Sequence, residues 1–109
     1  MRPLSRQERR FLAGLTPHTR AHALQLLNLH PLLRITSGRR TILGNKRAGG
    51  ATRSFHLRGR AVDFVGPAWD LGKAAGNAWA LRIGSACTGP EEVLLEDLGK
   101  ANQHLHVAW

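Results

Sequence analysis

At 109 residues the chain is long enough for one domain with a modest core and too short for two. Hydrophobic content of 42% excludes disorder throughout, and no run approaches the roughly 18 apolar residues of a membrane span. A formal net charge of +9, from 16 Lys and Arg against 7 Asp and Glu, favours polyanionic surroundings such as nucleic acid, anionic lipid or an acidic wall polymer. The single cysteine, Cys87, excludes an internal disulfide and a cysteine-rich zinc site, so metal ligands must come from His, Asp and Glu.

The basic start, Met1 to Arg10, is not followed by the apolar region and small-residue cleavage site of a signal peptide, which leads us to expect cytoplasmic synthesis. Ser5-Arg-Gln-Glu8 has capping-box spacing and predicts a short helix from about 5 to 14. Thr16-Pro17 is a second start signal, and Ala21, Ala23, Leu24, Leu26 and Leu27 give a broad apolar face for a helix that runs to about Leu29, where His30-Pro31 ends it. His18 and His22 lie four apart on it without the glutamate that a His-Glu-x-x-His metal motif requires, so both read as helix-surface residues and His30 as a loop residue.

Residues 32 to 36 form a short, partly β-branched run that reads as a buried strand. From Arg39 to Arg60 seven basic residues and no acidic one are punctuated by Gly44, Gly49, Gly50 and Gly59, the composition of a loop. Ala61 to Val65 reads as a core strand, 70 to 82 as a helix with Leu71, Ala74, Ala75, Ala78, Trp79 and Leu81 on one side, 84 to 90 as a turn, and Glu92 to Glu96 and His104 to Trp109 as two strands. Trp69, Trp79 and Trp109 read as core or cleft wall, and Cys87 as a small buried side chain. The expected architecture is a single α+β domain over 1–109, with an antiparallel sheet of about four strands and helices packed on one side.

Asp63 is the anomaly in this pattern. A carboxylate in an apolar strand is costly to bury unless it is paired or binds a metal. His56, seven residues earlier, would lie roughly 23 Å away along a continuous strand, so the chain must fold back if the two are to share an ion, and Gly59 is where it could. His104 and His106 alternate by two and point to one side of a strand.

Ile35-Thr-Ser37-Gly38-Arg39-Arg40, then Asn45, Gly49-Gly50, Ser54-x-His56-Leu-x-Gly59-x-Ala61-Val62-Asp63, and finally His104-x-His106-Val, resemble the zinc D-alanyl-D-alanine carboxypeptidases and L-alanyl-D-glutamate endopeptidases of bacteria and their phages. The likeness covers residues 35 to 64 and the last six, and it implies the hedgehog/D-Ala-D-Ala-peptidase type of fold. It implies zinc ligation by His56, Asp63 and His106, an oxyanion-stabilising role for Arg40 or its neighbour Arg39, and a substrate-carboxylate contact for Ser54. Many relatives carry an acidic residue three before the last zinc histidine. Here that position is Gln103, so His104 is the first candidate for the general base and Glu96 the second.

The activity implied is zinc-dependent hydrolysis of a peptide bond in the peptidoglycan stem, at the wall, with anionic wall polymers as possible partners and a phage lysin or virion component as the setting. A module of the same fold that binds the wall without turnover is the alternative. A nucleic-acid binder is disfavoured because the motifs of the common DNA and RNA modules are absent.

Overall fold

A computed structural model describes residues 2–38, 58–80 and 90–109. Helix α1 (Arg6–Ala13) begins on the capping box its sequence specifies: the Glu8 NH donates to Ser5 Oγ at 3.1 Å, and the Ser5 NH donates to Glu8 Oε1 at 3.1 Å. The buried Glu8 carboxylate also accepts from Arg2 Nη1 and Nη2, at 2.8 and 2.6 Å, and from the Ile35 NH at 3.1 Å. One side chain thereby ties the N-terminal segment, α1 and the first strand together. The Arg2 guanidinium, helped by the Ser5 and Ile35 amides, outweighs burial and holds the Glu8 pKa down to about 2.

Helix α2 (Pro17–Leu29) starts with Pro17 at its first position and the Thr19 NH donating to Thr16 Oγ1 at 3.3 Å. Its inward stripe is Thr19, His22, Ala23, Leu26 and Leu27, spaced by threes and fours. His22 is therefore not a surface residue. It is 0% exposed, its ring stacks on Trp109 at 5.0 Å between centroids, and His18 meets it edge-on at 4.6 Å. His30 continues the same stripe as the helix cap and is buried, not a free loop residue. Its Nε2 accepts from Asn77 Nδ2 at 2.9 Å, so Nδ1 carries the proton and donates to Asp70 Oδ1 at 2.8 Å.

The described residues contain four strands, β1 (Arg34–Ser37), β2 (Ala61–Val65), β3 (Glu92–Glu96) and β4 (His104–Ala108), in the order β1-β2-β4-β3, every pair antiparallel. The sequence places β2 and β3 where they lie. β1 starts two residues later than the apolar run suggests, because the Leu33 NH donates back to His30 O and the resulting turn takes up Leu32, which is 55% exposed. Only Ile35 of β1 is buried.

Helix α3 (Ala68–Ala80) crosses back over β3 and β4 and also meets α2, while α1 packs on β1. Leu71, Ala74 and Ala78 point inward, but Trp79 is turned to solvent at the margin of that stripe. Trp69 is exposed as well, with Lys73 Nζ 5.5 Å from its ring centre, so of the three tryptophans only Trp109 joins the core. The core lies between the helices and one face of the sheet, built on Val62, Phe64, Leu105 and Val107 with Leu12, Leu26, Leu27 and Leu71 above them. Among the described residues no helix is long and apolar enough to cross a membrane. The turn expected at 84–90, with Cys87, lies outside the described residues except for Pro90.

Candidate metal centre

Alternation along β2 and β4 sends Val62, Phe64, Leu105 and Val107 under the helices and Asp63, His104 and His106 to the opposite face. In the ladder Asp63 is the register partner of His106. Neighbouring side chains on one face of an antiparallel pair lie within reach of each other, and here Asp63 Oδ1 is 3.0 Å from His106 Nδ1. Both side chains are sheltered, at 10% and 12% exposure.

The backbone entering β2 is constrained to this path. Gly59 has φ +67, a left-handed conformation, and a Cβ there would sit 2.6 Å from the Gly14 carbonyl oxygen. Its own carbonyl accepts from the Thr16 NH at 2.9 Å, which pins the turn before β2 to the start of α2. Gly59 is the residue at which the sequence allows the chain to fold back before Asp63. His56 itself, with Ser54, Arg39 and Arg40, lies outside the described residues.

A second carboxylate reaches His106 from the other side. Glu92, at the start of β3, places Oε1 2.7 Å from His106 Nε2. Burial, the largest single influence, disfavours the charged ring, but the hydrogen bonds and charges of Asp63 and Glu92 together outweigh it and hold the His106 pKa above its ordinary value. Without a metal, His106 donates from Nδ1 to Asp63 and from Nε2 to Glu92. The proton on Nδ1 thus occupies the position between ring and carboxylate where a cation could lie.

The sequence gives no warning of Glu92. It stands opposite Ala108 in the ladder while Leu94 stands opposite His106, so its contact with the histidine is diagonal and depends on a register that spacing does not reveal.

The two candidates for a base come together. His104 and Glu96 are register partners on this same face, with Nε2 to Oε1 at 3.7 Å. His104 Nδ1 is 2.9 Å from the Asn102 carbonyl oxygen, which can only accept, so Nδ1 carries the proton and Nε2 is the basic nitrogen. Gln103 is occupied elsewhere: its Nε2 donates to Gly66 O at 3.0 Å and its Oε1 accepts from the Gly99 NH at 2.9 Å, fastening the β3–β4 turn to the end of β2.

A tetrahedral zinc site with ligands at about 2.0 to 2.2 Å separates neighbouring donor atoms by about 3.3 to 3.6 Å. Asp63 Oδ1 and His106 Nδ1 therefore fit two corners of such a site with a shift of a few tenths of an ångström. Among the described residues no group of three ligating side chains is present, and the third ligand that the family resemblance implies, His56, lies outside them.

The peptidase M15 family model matches residues 18–108, which is more than half of the chain and takes in all four strands. The chain belongs to the peptidase M15 family. That membership makes it a domain of metallopeptidase type, with Asp63 and His106 side by side on its central strands. A comparison of this M15 domain with curated proteins finds no match.

Proposed function

We propose that the protein is a zinc peptidase that hydrolyses a peptide bond of the peptidoglycan stem, as a D-alanyl-D-alanine carboxypeptidase or an L-alanyl-D-glutamate endopeptidase. The observation that carries this reading is the sheltered pair of Asp63 Oδ1 and His106 Nδ1 at 3.0 Å on adjacent central strands of an M15 domain. Zinc would be held by Asp63, His106 and His56. When bound, it supplies Lewis acidity toward a peptide carbonyl and lowers the pKa of water.

The protein's own groups then divide the remaining work. His104 accepts a proton at Nε2, its tautomer set by the Asn102 carbonyl, and Glu96 beside it stabilises the resulting imidazolium. Arg40, or Arg39 next to it, would stabilise negative charge developing on the carbonyl oxygen, and Ser54 would hold the carboxylate end of the substrate. The high net positive charge favours a polyanionic wall around the scissile peptide.

A second reading has one observation in its favour. Gln103, at the position where many relatives carry an acid, serves a structural contact here, as it would in a module that binds stem peptides without cleaving them. Digestion of purified peptidoglycan separates the two. Release of new amine groups or D-alanine that stops with chelator and returns with zinc is expected. Tight binding of wall fragments with no release under any metal condition would favour the binding module.

A further inference from the structure

The imidazole of His106 lies between two carboxylates, one at each ring nitrogen. Asp63 Oδ1 is 3.0 Å from Nδ1 and Glu92 Oε1 is 2.7 Å from Nε2. The two nitrogens point in divergent directions, so one ion cannot be shared by His106 and both carboxylates. Asp63 is the sheltered one, on a central strand, whereas Glu92 is 40% exposed on the edge strand β3. An ionised carboxylate only accepts, and contact with Glu92 at 2.7 Å therefore requires the proton on Nε2. With the proton held on Nε2, loss of the Nδ1 proton leaves the lone pair of the neutral ring on Nδ1, directed to the Asp63 side.

We infer that Glu92 is a positioning residue of the metal centre, holding the Nε2 proton of His106 and so fixing the ring orientation and tautomer in which Nδ1 binds the metal. This rests on the zinc-peptidase reading above. A carboxylate behind a ligating histidine orients the ring and raises its basicity, and loss of such a partner typically weakens metal affinity 10- to 100-fold. Glu92 also crosses from the edge strand to β4, so the position of β3 becomes part of the site.

The test is a zinc titration against a competing chelator on the wild-type protein, Glu92→Gln and Glu92→Ala. Metal-free unfolding midpoints are measured alongside, with 15N NMR of the His106 ring. Glu92→Ala is expected to weaken zinc binding roughly 10- to 100-fold. Glu92→Gln, which is isosteric and keeps a neutral acceptor, should fall between it and wild type. Metal-free midpoints should stay together, and the wild-type ring should show a protonated Nε2 with metal on Nδ1. Equal affinities in all three proteins, metal on Nε2, or an affinity loss that merely follows a fall in the metal-free midpoint would each overturn the inference. A wild-type protein that binds no zinc would overturn the zinc reading itself, a result distinct from variants that bind as well as wild type.

Discussion

The two faces of the sheet differ by a single residue in sequence and by almost everything in environment. Val62 and Phe64, Leu105 and Val107 are fully buried under three helices, whereas Asp63 and His106 between them meet through one 3.0 Å contact on the opposite side. The apolar face is held by many contacts, none of which depends on one atom's position. The polar face depends on a few donor atoms whose spacing comes from strand register. Stability and the proposed metal centre are consequently assigned to alternate residues of the same two strands, and a substitution on one face should move one property more than the other.

The largest expected effect is on the apolar face. Phe64→Ala removes the largest fully buried side chain among the described residues and should lower stability by about 3 to 5 kcal/mol, seen as a large drop in the urea midpoint, with metal binding lost only as the fold is lost. The next is at Glu8. The gap between its ordinary 4.5 and the value of about 2 enforced first by Arg2 corresponds to about 3 kcal/mol. Because the folded pKa is depressed, that stability is present above pH 4.5 and disappears as pH falls through about 2. Glu8→Gln should remove this acid-dependent part of the stability profile while leaving zinc stoichiometry unchanged.

His22 gives a smaller effect at milder pH. Burial first, and then the neighbouring His18, lower its pKa from the ordinary 6.5, so the fold favours the neutral ring. The stability it contributes is full above that ordinary value and is lost as pH falls toward the folded one. His22→Leu should flatten the stability profile below the ordinary histidine value of 6.5, measured by chemical denaturation on either side of it. The smallest effect is a gain. A Cβ at Gly72 or Gly76 would meet nothing within 4 Å, both lie inside helix α3, and each Gly→Ala change should add about 0.5 to 1 kcal/mol without altering the polar face.

Helix starts and strands β2 and β3 were legible because their signals are local. Ser5 with Glu8 and Thr16 with Pro17 act within one turn, and the β2 and β3 runs are bounded by turn residues. His22 and His30 misled because residue type outweighed position: both fall on the stripe that contains Thr19, Ala23, Leu26 and Leu27, and the helical period alone would have placed them inside. Trp69 and Trp79 misled in the opposite sense, their size suggesting core where the helix turns them to solvent. In the site, Asp63 stood out as a carboxylate in an apolar strand, and His104 and His106 share a face by simple alternation. Glu92 could not be found that way, because its contact with His106 is set by how β3 registers on β4. The same register places Glu96 beside His104.

The pairing of Asp63 with His106 is tested most directly by zinc stoichiometry of the purified protein beside Asp63→Ala and His106→Ala, with a circular dichroism spectrum of each to show that the sheet persists. The expected result is one zinc per wild-type chain and none retained by either variant at matched fold. One zinc per chain in both folded variants would contradict a metal centre built on these two residues.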